Sequence, residues 1–182
     1  NISCATALSI HSGTLVIGGA GGRVTNEIKL LKDGVLHDFA VMKEARYEHC
    51  STSHEEMLYV LGGRDDGYNA LSSCEAVNTR TRAVTQLASM NEARSRAACV
   101  VHPHHGIIIT GGLGKGRNAL STVEVYSFTT NTWSYLPPMT TARRRHSSCM
   151  VDDKLYVIGG TPTTVECFDF QTWAWMVHGM LP

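Results

Sequence analysis

Apolar runs of four or five residues recur along the chain, and four of them end in a double glycine. They are Leu15 to Gly19, Leu58 to Gly63, Ile107 to Gly112 and Leu155 to Gly160. The first glycines of the pairs are 18, 62, 111 and 159, giving intervals of 44, 49 and 48. Runs this short, closed by turn residues, suit buried β-strands better than helices. Before each run lies a shorter segment of alternating character, such as Ser147 to Val151, joined to it by a polar turn such as Asp152-Asp153. That turn chemistry belongs to a hairpin. After each double glycine come two more strand patterns, Thr164 to Phe168 and Trp173 to Val177 in the last unit and Thr122 to Phe128 and Thr132 to Leu136 in the third. The pattern predicts four units of four strands, with second strands near 14–18, 57–61, 106–110 and 154–158, and no long helix. A four-stranded sheet cannot bury its apolar face alone, so units of this period must stack, and twisted antiparallel sheets stack radially as propeller blades.

Other residues keep the same period. Met42, Met90, Met139 and Met180 open successive units, and Arg46, Arg94 and Arg143 stand four residues after the first three. Glu27, Glu75, Glu124 and Glu166 hold one register in the third strand. An aromatic pair, Tyr126 with Trp133 and Phe168 with Trp175, becomes Val77 with Val84 and then Lys29 with Leu36 toward the N-terminus. The unit boundaries expected from these markers are 1–41, 42–89, 90–138 and 139–182. Where unit one should carry its arginine the sequence has Ile2. The two ends fall near the same boundary between units, so the spacing predicts an open arc rather than a closed ring.

A residue that recurs in every unit is a poor candidate for catalysis, which needs one site. The repeated Arg46, Arg94 and Arg143 are therefore expected to be buried and paired with Glu75, Glu124 and Glu166, because an isolated buried carboxylate would be very costly. Gly62, Gly63, Gly111, Gly112, Gly159 and Gly160 end strands where backbone must bend or approach closely. They open no helix and lack the Lys-Ser/Thr of a phosphate loop.

The motif Met139-x3-Arg143-x2-His146, followed by Leu155-Tyr156-Val157-Ile158-Gly159-Gly160, Val165-Glu166-Cys167-Phe168-Asp169 and Trp175, resembles the kelch repeat. Unit three matches it more closely still, through Thr122-Val123-Glu124-Val125-Tyr126 and Thr130-Asn131-Thr132-Trp133. The resemblance covers all four units. It implies an all-β kelch-type propeller of four-stranded blades and, since kelch adaptors have six blades, part of a larger ring, with an unusual four-bladed ring as the alternative. It also implies a non-catalytic protein-interaction module: the substrate-recognition propeller of a cytoplasmic kelch-like adaptor, serving a cullin-based ubiquitin ligase through other domains. Actin-associated scaffolding is the alternative, and a kelch-fold enzyme a lesser one.

In such adaptors the partner-binding positions are the residue after the double glycine and the two residues after the motif arginine. Here these are Arg64; Tyr47 and Glu48; Ser95 and Arg96; Arg144 and Arg145. Four arginines against one glutamate suit an acidic protein or peptide partner. The whole chain balances 16 basic against 16 acidic residues, which argues against nucleic acid. No stretch reaches the roughly 20 apolar residues of a membrane span, and no signal peptide is visible at the start, where Asn1-Ile2-Ser3 is formally a glycosylation sequon. No cofactor or metal is expected. His102-Pro103-His104-His105 resembles a ligand cluster, but it occupies a hairpin turn and is expected to be solvated. The six cysteines form no C-x-x-C pair and are expected to be reduced. Cys50 and Cys99 are equivalent positions a whole blade apart, expected to lie beyond disulfide reach.

Overall fold

The computed structural model describes residues 4–180. Alternation of apolar and polar side chains, interrupted by turn residues, produces 16 strands in four antiparallel sheets, each with its strands in simple sequence order. Blade 1 holds β1 (Thr6–Ile10), β2 (Gly13–Ile17), β3 (Glu27–Lys32) and β4 (Val35–Val41). Blade 2 holds β5 (Cys50–His54), β6 (Met57–Leu61), β7 (Cys74–Asn78) and β8 (Val84–Gln86). Blade 3 holds β9 (Ala98–His102), β10 (Gly106–Thr110), β11 (Val123–Ser127) and β12 (Thr132–Leu136). Blade 4 holds β13 (Ser147–Val151), β14 (Lys154–Ile158), β15 (Thr164–Asp169) and β16 (Ala174–Met180). Among the described residues the one helical segment is a 3-10 turn at Lys115–Arg117, and no helix is long and apolar enough to cross a membrane. Asp152 and Asp153 both adopt left-handed backbone, φ 47° and 59°, as a two-residue hairpin turn requires. Ile2 and the Asn1-Ile2-Ser3 sequon lie outside the described residues, as do the last two positions of the fourth unit.

The sheets stack face to face, and the cores lie between them. Leu15, Ile17 and Ile28 of blade 1 meet Leu58, Val60 and Val77 of blade 2. Tyr59, Leu61 and Ala76 of blade 2 meet Ile107, Ile109, Tyr126 and Trp133 of blade 3. Ile108, Val123 and Leu136 of blade 3 meet Leu155, Val157 and Phe168 of blade 4. Alternate residues of one strand thus serve opposite neighbours, which is why the second strands read as continuous apolar runs. The indoles add directional ties: Trp133 Nε1 donates to Ala88 O at 3.0 Å and Trp175 Nε1 to Pro137 O at 2.8 Å.

The first strands gather at the axis, β1 beside β5, β5 beside β9 and β9 beside β13. No contact of that extent joins blade 1 to blade 4 among the described residues. The axial opening is lined by all four first strands, with Thr6, Ser51, Cys99 and Ser148 among its walls. Cys50 and Cys99 lie on these neighbouring first strands and both line the opening, because equivalent positions are a full blade-width apart at the rim but closer at the axis. All six cysteines are free thiols. In the histidine turn Pro103, His104 and His105 are exposed as expected, but His102 is not. His102 is 1% exposed, its Nε2 bonds Asp153 Oδ1 at 2.8 Å across to blade 4, and its Nδ1 accepts the amides of His104 and His105.

Candidate functional site: the axial face

The face that carries the candidate residues is built by the motif arginines. Arg46, Arg94 and Arg143 are at most 1% exposed. Each reaches back into its own blade. Arg46 Nη2 donates to Glu75 Oε1 at 2.9 Å, Arg94 Nη2 to Glu124 Oε1 at 2.6 Å, and Arg143 Nη2 to Glu166 Oε1. Their Nη1 groups donate to the first-glycine carbonyls, Gly62, Gly111 and Gly159, at 2.7, 2.8 and 3.1 Å. The second carboxylate oxygens accept backbone amides, from Lys43 to Glu75, Asn91 to Glu124 and Thr140 to Glu166. In each of these three pairs both charges are paired and hydrogen-bonded. Burial alone would push the Glu166 carboxyl up, but its bonds from Thr140 and Arg143 outweigh that and hold it below the usual range.

The same arginines tie neighbouring blades through their carbonyls. Arg46 O accepts Gly19 N at 2.9 Å, Arg94 O accepts Gly63 N at 2.9 Å, and Arg143 O accepts Gly112 N at 2.8 Å. The approach is close enough to demand glycine. A Cβ on Gly111, at φ 53°, would stand 2.6 Å from Arg143 O.

Past each arginine the chain turns along the mouth of the axis. Tyr47 exchanges two backbone hydrogen bonds with Arg64, at 2.8 and 3.1 Å, and Ser95 exchanges two with Leu113, at 2.7 and 3.0 Å. These pairings bring the position after the double glycine to the same level as the position after the motif arginine. The next residues, Glu48, Arg96 and Arg145, all adopt left-handed backbone, φ 53°, 54° and 56°. They form a ladder around the axis: Arg145 N donates to Arg96 O at 2.9 Å, Arg96 N to Glu48 O at 2.8 Å, and Glu48 N to Cys4 O at 3.1 Å. Nothing in the residue types Glu and Arg announced left-handed backbone here.

The candidate residues divide by burial. Arg64 is 5% exposed and Ser95 1%, and Arg64 Nε donates to Ser95 Oγ at 3.0 Å. Glu48 is drawn between two guanidiniums, 2.6 Å from Arg96 Nη2 and 3.6 Å from Arg64 Nε. The Glu48 bond raises the Arg96 pKa further. Tyr47, Arg96 and Arg144 are half-buried, and Arg145 is exposed. The side chains of Arg144 and Arg145 make no hydrogen bond or ion pair among the described residues. The mouth thus sets four guanidiniums against one carboxylate that is already spent.

Sequence reasoning passed over part of the rim. The loop after β6 projects Tyr68, 65% exposed and edge-on to Tyr47 at 6.5 Å between ring centres. The loop after β10 presents Lys115 and Arg117, both exposed. The available signal was the length of these two loops, 11 residues each between glycine pair and glutamate. No group of three or more His, Cys, Asp or Glu among the described residues could hold a metal.

A comparison with curated proteins found no match. A family model described as the KLHDC2/KLHL20/DRC7 Kelch-repeats domain matches residues 5–179, nearly the whole chain and every blade described above. Together with the four four-stranded sheets and their in-phase Arg, Glu and Gly-Gly positions, this match means that the chain belongs to the kelch-repeat family.

Proposed function

We propose that this propeller binds an acidic segment of a protein partner on its axial face, through Tyr47, Glu48, Arg64, Ser95, Arg96, Arg144 and Arg145, and that it is the partner-recognition part of an adaptor serving a cullin-based ubiquitin ligase. Kelch repeats make protein-interaction modules, and the observation that carries the finer reading is the charge at the mouth. The side chains of Arg144 and Arg145 have no partner among the described residues, while Glu48, the one carboxylate of the set, is engaged by Arg96. Guanidiniums without partners, held at the mouth by strand-anchored backbone, are suited to carboxylates, which they can grip with two parallel bonds. The ligase assignment rests on the family likeness. Six unpaired thiols agree with a reducing, cytoplasmic setting.

A titration of the chain with a Glu-rich nonapeptide and its Lys-rich counterpart tests the charge. The acidic peptide should bind, and its affinity should fall as salt rises, because exposed charges are screened over about 10 Å at 0.1 M salt. Preference for the basic peptide, or affinity indifferent to salt, would reject the reading. For the ligase half, blocking cullin activity in cells should raise the level of whatever protein the chain captures. An unchanged level would remove that half and leave binding alone.

A further inference from the structure

Arg64 differs from every other cation on this face. It is 95% buried, by its 5% exposure, yet only its Nε is used, on Ser95 Oγ and beside Glu48. Nη1 and Nη2 have no partner among the described residues. Nε anchors the group to the protein, and Nη1 and Nη2, which are not among the fully buried polar atoms, are left open to a ligand. Arg64 borders a cleft of about 730 Å³ between the loop after β6 and the loop after β10, with Tyr68, Asn69, Lys115 and Arg117 also on its walls. This volume falls within the range of about 300–1,000 Å³ common for ligand clefts.

The charged residues that line the cleft are the cations Arg64, Lys115 and Arg117, while the neighbouring carboxylates Asp65, Asp66 and Glu48 stay off its walls. Lys115 and Arg117 have unpaired side chains. The acids of the facing loop are occupied elsewhere: Asp65 accepts the Asn69 amide and side chain at 2.8 and 3.0 Å, and Asp66 accepts Val24 N at 3.0 Å. Glu48, the third nearby carboxylate, is held by Arg96. Both walls are fixed by backbone, Arg64 through its two bonds to Tyr47, and the Lys115–Arg117 turn through Gly114 N to Asn118 O and Arg117 N to Gly114 O.

We infer that the cleft between blades 2 and 3 is a pocket for a phosphorylated serine or threonine of the partner, gripped by Arg64, Lys115 and Arg117. A carboxylate brings one charge to three cations. A phosphoryl group brings about −1.5 to −2 and three acceptor oxygens, enough for a two-pronged bond from Arg64 Nη1 and Nη2 and contacts from both loop cations. Tyr68 at the edge offers an aromatic surface to the residues flanking the phosphate. The inference rests on the reading of this face as the partner-binding one, and it extends that face from Arg64 to a subsite lined by Lys115 and Arg117.

The test is an NMR titration of the chain at constant ionic strength with inorganic phosphate, with capped Ala-phosphoSer-Ala and with capped Ala-Glu-Ala. The Arg64 side-chain Nε–H and the amides of Tyr68 and Gly116 report on the cleft. The phosphopeptide should saturate these signals and bind about tenfold or more tightly than the glutamate peptide, as expected for an added charged hydrogen bond. Lys115→Gln with Arg117→Gln, two exposed positions, should weaken it about tenfold without moving the melting midpoint. Arg64→Lys keeps the buried charge and should also weaken it. Arg144→Ala with Arg145→Ala should leave this binding unchanged while weakening the Glu-rich nonapeptide, so the two proposals fail separately. Equal binding of phosphoserine and glutamate peptides, no shifts at the cleft, or indifference to the Lys115 and Arg117 changes would overturn the inference. Binding of inorganic phosphate without the phosphopeptide would overturn the peptide assignment.

Discussion

Glu27 of blade 1 and Glu124 of blade 3 occupy the same place in the repeat and meet opposite surroundings. Glu124 is fully buried, bonded to Arg94 at 2.6 Å and to the Asn91 amide at 2.8 Å. Glu27 is exposed, and its ion-pair partner is Lys29 at 3.3 Å, a residue that also pairs with Asp38. Lys29 itself stands where blades 3 and 4 carry Tyr126 and Phe168, which are packed between sheets. Strand register is thus set by the alternating pattern in all four blades, but burial of the carboxylate follows the arrival of a guanidinium and of backbone amides from the segment preceding the blade. Where the sequence supplies no arginine, the acid turns to solvent.

The sharpest way to break this contrast is to remove the brace from a blade that has one. Arg94→Ala leaves Glu124 buried and unpaired and should cost about 3–5 kcal/mol, lowering the thermal midpoint by about 10 °C for a chain of this size. Lys29→Ala, the same kind of deletion in blade 1, should leave the midpoint where it was, because its pair is at the surface. Equal losses from both changes would show that the two glutamates are not in different regimes.

The inter-blade contact of the glycine can be tested next. Gly111→Ala should cost about 1–2 kcal/mol from left-handed backbone alone, with the 2.6 Å approach to Arg143 O adding to it. Denaturant midpoints would read this directly.

Acid titration offers a third contrast. Burial, aided by the charges of Arg46 and Arg143, pushes His49 down to about 3 and His146 down to about 4. In the unfolded chain both take up a proton near the ordinary value of about 6.5. Below that pH the unfolded state holds more protons, so stability should fall as pH drops from 6.5 toward 4. Each histidine contributes about 1.4 kcal/mol per pH unit. Replacing His146 by Gln should remove about half of that slope, and a slope unaffected by the change would contradict the assignment. The depressed Glu166 acts at lower pH. Its stabilisation is present above the ordinary carboxylate range and is lost as pH falls through its lowered folded value.

The smallest effect concerns the aromatic pair that fades toward the N-terminus. Trp133→Phe keeps the ring between blades 2 and 3 but loses the bond to Ala88 O, a cost of about 0.5–1.5 kcal/mol. Fluorescence-monitored unfolding would measure it.

Much of this architecture could be read from residue order. The second strands stand at Gly13–Ile17, Met57–Leu61, Gly106–Thr110 and Lys154–Ile158, where the apolar runs put them. The Arg–Glu pairs were legible because three equivalent charges in phase with apolar strands have few inexpensive fates. Burial of His102 was not legible, since the turn's own composition is polar and its cover, Asp153 and Phe170, comes from the next blade. That Cys50 and Cys99 both line the axial opening escaped for a related reason, because sequence period says nothing of how blades converge at an axis. The unpaired donors of Arg64 also depend on tertiary detail: its neighbour Ser95 lies 31 residues away.

One comparison of adjacent arginines tests the central claim, that the motif arginine supports the fold while the residues just after it bind the partner. Arg143 is buried against Glu166, and Arg145 two residues on is exposed and unpaired. Melting midpoint and affinity for the Glu-rich nonapeptide should be measured side by side for Arg143→Ala and Arg145→Ala. The account predicts that Arg143→Ala lowers the midpoint sharply, whereas Arg145→Ala keeps the midpoint and weakens the peptide. A stable Arg143→Ala protein, or an Arg145→Ala protein that binds as tightly as the original, would contradict it.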